Sequence, residues 1–257
     1  MRYNFYLTTG RIFFGVSILA IGIIHLATAN FPTGLLPVSG SLPGRNLFVY
    51  ASGIAMIISG ILMLTKKYAW PGALLAQGIF LLFLLFLHIP KLITHLNVSS
   101  EWTPAFEVFM LFSGALILGG IVLTGDRHEN ARHKLIATGK YCFAISLFVF
   151  AVLHFLFTKF VVSIIPGWIP WPLFWAYFAV AAFFAASLSI FIQKRVRLSA
   201  TLLSLMFFLW VCMLHVPELI ADIHIETSWT NLFVPLAMSG IGLLIAGTAK
   251  PPLNLPG

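Results

Sequence analysis

The residues of this chain best suited to chemistry are histidines and carboxylates that stand in or beside long apolar runs. "LHIPKLITH" (Leu87–His95) closes one such run and "LHVPELIADIH" (Leu214–His224) closes another. Neutral imidazole ligates metals and haem iron, and near neutral pH it also moves protons. A carboxylate inside a bilayer is costly unless it faces a partner or a water-filled space. Glu107, about one turn inside an apolar segment after Pro104, is such a carboxylate. Glu107, His25 and His88 therefore form the candidate catalytic set; His154, His215, Trp102 and Trp229 are candidates for holding a cofactor.

Spacing adds detail. After His88, Lys91 and His95 follow at i+3 and i+7 on one helical face, and after His215, Glu218 and Asp222 follow at the same spacing. Lys91 thus corresponds to Glu218 and His95 to Asp222, opposite charges that suit pairing across a seam between two similar halves. Glu101 and His224 flank the same level. At the α-helical rise, His25 lies ~20 Å along its helix and His88 ~27 Å along its own. A haem held by His25 with His88, or by His154 with His215, would have to bridge that offset; a quinone or a metal ion is the other candidate occupant. No HExxH, CxxC or CxxCH motif specifies one of these. The bland reading of the tryptophans is an interfacial aromatic belt, and that of a lone histidine near a helix end is a capped or interfacial side chain.

The elements that must position these groups are membrane helices. The chain has 257 residues, 60% hydrophobic and 9% charged, with mean hydropathy +1.00, far from soluble globular composition. Eight stretches have the length to cross a hydrocarbon core of about 30 Å: Ile12–Ala29, Leu47–Thr65, Trp70–Leu92, Ala105–Leu123, Tyr141–Phe157, Trp171–Ile192, Leu198–Val216 and Leu232–Ala246. The first is expected to be retained rather than cleaved, since no small-residue cleavage site follows it. Of the 15 lysines and arginines, Arg2, Arg11, Lys66, Lys67, Arg127, Arg132, Lys134, Lys140, Lys194, Arg195, Arg197 and Lys250 fall at one end of the spans, and only Arg45, Lys91 and Lys159 at the other. By the positive-inside rule both termini are expected in the cytoplasm. The basic balance thus belongs to topology and lipid headgroups, and no nucleic-acid surface is expected. Six of the eight histidines and five of the seven acids gather at the end the basic residues avoid. Cys142 and Cys212 belong at opposite depths and are expected to stay unpaired.

The chain also repeats itself. A shift of 129 residues takes Thr9–Arg11 to Thr138–Lys140 and His25 to His154; a shift of 127 takes Pro43 to Pro170, Tyr50 to Tyr177, His88 to His215, Pro90 to Pro217 and Trp102 to Trp229; Ser113-Gly114 then meets Ser239-Gly240. Four spans per half make the repeats parallel. The expected fold is all-α: eight transmembrane helices as two parallel, pseudo-twofold-related four-helix bundles. Residues 1–124 form the first repeat, 125–137 a charged cytoplasmic connector expected as a loop, and 138–257 the second repeat. The proline two residues past each LHxP histidine should bend its helix end.

A histidine near the end of the first helix, "IIPGWIPWPLFWAYF" (Ile164–Phe178), the LHxP helix ends and "EWTPAFEVFMLFSGALIL" (Glu101–Leu118) resemble the DoxX-like family of small four-helix membrane proteins, here in tandem. The resemblance covers nearly the whole chain. It implies a bacterial inner-membrane protein associated with redox chemistry, with quinone or a membrane redox partner beside the lipid bilayer. The alternatives are a non-catalytic assembly or stabilising subunit, ranked second, and a small-solute transporter, disfavoured by the apolar inner half of the spans.

Overall fold

The computed structural model describes residues 2–40, 42–96 and 98–249; Lys250, one of the twelve basic residues counted above, lies outside them. Among the described residues there is no strand, and eight helical stretches are long and apolar enough to cross a membrane. The elements are α1 (Arg2–Thr28), α2 (Arg45–Leu64), α3 (Ala69–Phe83), α4 (Ile89–Thr94), α5 (Trp102–Val122), α6 (Glu129–Leu156), α7 (Thr158–Ile164), α8 (Pro172–Phe191), α9 (Val196–Trp210), α10 (Val216–Ala221) and α11 (Glu226–Thr248).

The third and seventh spans are each continuous through one π-helical turn, Leu84–His88 between α3 and α4 and Val211–His215 between α9 and α10. Both turns end on the LHxP histidine, and the proline follows two residues later. A proline inside a helix removes a donor and crowds the carbonyl four residues back. Widening the preceding turn to i→i+5 bonding accommodates that ring without breaking the span. The expected bend is therefore realised as a local widening.

The helices form a closed ring in the order α1, α2, α3, α5, α6, α8, α9, α11 and back to α1, with α5 and α11 also touching across the middle. These two are the central helices: 67% and 72% of their most apolar windows are buried, against 33–44% for the other spans. The pairings recur, with α1/α2 matched by α6/α8, α2/α3 by α8/α9, α3/α5 by α9/α11, and α11/α1 by α5/α6. The first helix of each half thus packs on the last helix of the other, so the halves interlock. Small residues make these crossings close. A Cβ on Gly10 would come within 2.7 Å of the Gly240 carbonyl oxygen, and one on Gly139 within 2.7 Å of the Ser113 carbonyl oxygen. Polar links repeat as well: Gln77 of α3 donates to the Ala115 carbonyl of α5 at 3.1 Å, while Ser204 of α9 donates to the Ser239 carbonyl of α11 at 2.7 Å.

Two expectations need correction. The charged connector is mostly helical: after a 3-10 turn at Asp126–His128, α6 already starts at Glu129. An acidic residue in a first helical turn is favourable, and Gly120 of α5 lets the Arg132 and Ile136 turn pack closely, so the helix keeps a neighbour before its apolar part begins. The second concerns charge pairing. Lys91 pairs with Glu101 in its own half at 3.5 Å, and Glu218 meets His215 in its own half at 3.3 Å. Helices α4 and α10 pack mainly on α5 and α11 of their own halves, and neither Lys91–Glu218 nor His95–Asp222 is paired among the described residues. Cys142 and Cys212 are both free, as expected.

Candidate functional site

On α1 the stripe Phe14, Ile18, Ile21, His25 recurs at helical spacing, and all four are fully buried. The stripe carries His25 inward. Its Nδ1 donates to the Ile21 carbonyl four residues back at 2.8 Å. That bond places the ring proton on Nδ1, so the neutral ring presents Nε2 as a bare acceptor. His25 Nε2 is buried without a hydrogen-bond partner.

His88 ends the first π turn and is 1% exposed. Neither of its ring nitrogens has a partner. Leaving a buried polar group unsatisfied costs about 1–3 kcal/mol. Three such nitrogens on two of the helices lining the first half are therefore a substantial cost.

Glu107 stands two turns before Gly114 on the same face of α5, the face that meets Ile241 of α11 and Phe14 of α1. It is half-buried and has no hydrogen-bond or ion-pair partner among the described residues. His25, His88 and Glu107 stand on three different elements, α1, the third span and α5. No direct hydrogen bond joins them.

What sequence reasoning missed is the cover. The segment from Ala29 to Gly44, between α1 and α2, folds back into the bundle and buries Phe31, Pro32, Leu35 and Leu36. The Phe31 ring stands edge-on to His25, 5.7 Å between centroids, and edge-on to Phe83 at 6.4 Å. Polar contacts hold this plug in place. Lys91 Nζ donates to the Pro37 carbonyl at 2.6 Å, Arg45 donates to the Asn30 side chain and lies over the Phe31 ring at 5.5 Å, and Thr33 donates to Glu226 of α11 at 3.3 Å. Lys91, singled out for its charge, is a clamp.

The second half has the same histidines in a different setting. His154 Nδ1 donates to the Phe150 carbonyl at 2.9 Å, as His25 does to Ile21. Its ring lies edge-on to Phe183 at 5.0 Å and stacked with Trp210 at 6.3 Å. His215 ends the second π turn and meets Glu218, which also accepts from Asn231 at 3.2 Å. The corresponding connection, Phe157–Trp171, contains α7 and not one buried residue. His154 and His215 are half-buried, with 17% of the His215 side chain exposed.

Trp102 and Trp229 act as matched hooks. Each indole N–H donates to the carbonyl six residues earlier, Leu96 at 3.1 Å and Ile223 at 2.9 Å, and each ring stacks on its own helix, on Phe106 and Phe233. His95 and His224 are exposed at the loop tips, and Asp222 accepts from the His224 backbone. Among the described residues no group of three or more His, Cys, Asp and Glu is arranged to hold a metal ion. A haem does not fit beside His25, because the Phe31 ring on one side and the close Gly53 crossing on another leave no space for a macrocycle.

No family model, curated protein or solved structure matches the chain. It is a multi-pass membrane protein with eight helical spans.

Proposed function

We propose that this is a bacterial inner-membrane protein of redox-associated type whose working site is His25, His88 and Glu107, buried at the extracytoplasmic end and built to take a quinone. The observation that carries the reading is the trio of buried ring nitrogens, His25 Nε2 and His88 Nδ1 and Nε2, that no protein group satisfies. A neutral His88 supplies one N–H donor for a ring carbonyl, and His25 Nε2 accepts from the hydroxyl of the reduced form. Glu107, on α5, supplies an ionisable proton, and the apolar lining excludes bulk water. A quinone accepts two electrons and two protons on reduction, the electrons coming from a membrane partner. The plug governs entry to this site.

The same reading makes the chain a tandem duplication, 1–124 and 138–257, with both termini cytoplasmic. The recurring helix pairings, the matched π turns and the matched tryptophan hooks support the duplication; the twelve-to-three distribution of basic residues supports the orientation. One observation favours the alternative, an assembly subunit: Trp168 and Trp171 in the second connection are 62% and 76% exposed, as on a docking surface.

The test is titration of the purified protein with a short-tailed benzoquinone, read by tryptophan fluorescence. Glu107→Gln keeps shape and removes the ionisable proton, and His88→Leu removes both ring nitrogens. The proposal expects each variant to stay folded and lose affinity tenfold or more. Unchanged affinity in both would remove the quinone reading and favour the assembly subunit.

A further inference from the structure

The plugged half shows which surface its plug rests on. Phe83 meets Phe31, and Lys91 holds the Pro37 carbonyl, so the face of the third span bearing Phe83, His88 and Lys91 is the wall under the plug. A shift of 127 residues takes those three positions to Trp210, His215 and Glu218, with the π turn in the same place. His154 completes the set as the counterpart of His25, with its Nδ1 engaged by the same backbone bond.

Nothing of the second connection lies on this wall as the plug does on the first. Among the described residues the His154 ring contacts Phe183 and Trp210, both from the spans. α8 and α9, which flank it, are the most loosely packed neighbours in the ring; Phe183 and Trp210 join them at this level, and His154, Trp210 and His215 keep part of their surface exposed.

The wall's chemistry is reversed relative to the first half. Where Lys91 donates to a carbonyl, Glu218 offers a carboxylate, and no lysine or arginine among the described residues pairs with it. His154 Nε2 is an acceptor, because its ring proton is held by Phe150. Trp210 packs edge-on against Phe183 at 5.8 Å and against Phe207 at 5.6 Å, giving an aromatic floor. Acceptors over aromatic faces attract cations, both through the carboxylate and through the ring quadrupoles. An apolar body is required by the route through lipid.

We propose that the wall formed by His154, Trp210, His215 and Glu218 is a binding site for a small organic cation with an apolar, ring-bearing body, entering between α8 and α9. The first half's own plug occupies the corresponding wall with an aromatic ring and a polar group of the opposite sign. The inference shares with the quinone reading the idea that the histidine level holds ligands, but it uses none of His25, His88 or Glu107.

The probe is tetraphenylphosphonium, with triphenylphosphine oxide as its neutral aromatic counterpart, titrated into the full-length protein in detergent and followed calorimetrically. The cation should bind and the neutral compound should bind at least tenfold more weakly. Glu218→Gln should weaken the cation tenfold or more, Glu218→Lys should abolish its binding, and Trp210→Leu should weaken it while the protein elutes as the wild type does. Glu107→Gln should leave cation affinity unchanged, so that failure of the quinone site and failure of this one are separate results. Equal binding of both probes, or unchanged cation affinity in Glu218→Gln, would overturn the proposal.

Discussion

The connections after the first and fifth spans make an instructive pair. "NFPTGLLPVSGSLPG" (Asn30–Gly44) is broken by glycine, proline and serine, yet it tucks four apolar residues into the bundle. "FTKFVVSIIPGWIPW" (Phe157–Trp171) is the more apolar of the two and buries none. In a soluble protein the reverse would hold, because exposure of apolar surface to water is what burial avoids. At a membrane surface the exposed segment meets lipid headgroups and acyl chains, where tryptophan and phenylalanine are well accommodated. Hydrophobicity therefore does not report which connection enters the protein; packing room and polar clamps do. One half keeps its histidines sealed beneath a plug. The other leaves the matching histidines partly exposed beside an aromatic wall.

The largest expected effect breaks the sealed side. Replacing Phe31, Leu35 and Leu36 together by alanine removes three fully or almost fully buried side chains. At about 2–5 kcal/mol for each large-to-alanine change in a core, the variant should lose most of its thermal stability in a detergent melt. A triple change in the second connection, at Phe160, Ile164 and Trp168, which are 65%, 54% and 62% exposed, should move the melt by only a few degrees. Equal losses would mean the two connections are packed alike.

A second comparison lies at the α1/α2 and α6/α8 crossings. A Cβ on Gly60 would sit 2.7 Å from the Leu19 backbone nitrogen, whereas its counterpart Ser187 donates to the Ala144 carbonyl at 2.8 Å. Gly60→Ser should destabilise by about 1–3 kcal/mol through overpacking. Ser187→Gly should cost about 1 kcal/mol for the lost hydrogen bond, with some added backbone freedom. Thermal melts of the two variants would rank them, and the reverse order would show that the crossings are equally close.

Smaller still is the effect of the charges that distinguish the walls. Lys91→Met removes a charge-assisted bond to the plug, worth about 1.5–3 kcal/mol for a well-placed pair, discounted here because Lys91 is partly exposed. Glu218→Gln, on an exposed carboxylate, should change stability by less than about 0.5 kcal/mol. Chemical denaturation of both variants, with the larger loss in Lys91→Met, checks that one charge clamps and the other does not.

Much of this was legible in the sequence for definite reasons. The eight spans follow from hydropathy and length, since every backbone polar group must be satisfied inside the helix in lipid. The proposed repeat rests on rare residues at near-constant offset, and the i−4 backbone bond of His25 recurs at His154. Proline at Pro90 and Pro217 announced a disturbance, but not that a widened turn would absorb it, because that depends on the neighbours of the whole span. The Lys91–Glu218 pairing was misjudged, since Lys91 finds Glu101 and the Pro37 carbonyl while Glu218 finds His215 and Asn231, each within its own half. The plug was invisible: nothing in Phe31 or Leu35 as residue types distinguishes an inward-folded connection from one lying on the surface.

His25 and His88 are sealed, whereas His154 and His215 keep part of their surface exposed. The most direct measurement is modification by diethylpyrocarbonate in detergent, with each histidine quantified by mass spectrometry, in the wild type and in Phe31→Ala. His154 and His215 should react in the wild type while His25 and His88 stay protected, and Phe31→Ala should make His25 reactive at least tenfold faster without changing His154. Equal reactivity of His25 and His154 in the wild type, or no change at His25 when Phe31 is removed, would contradict the claim.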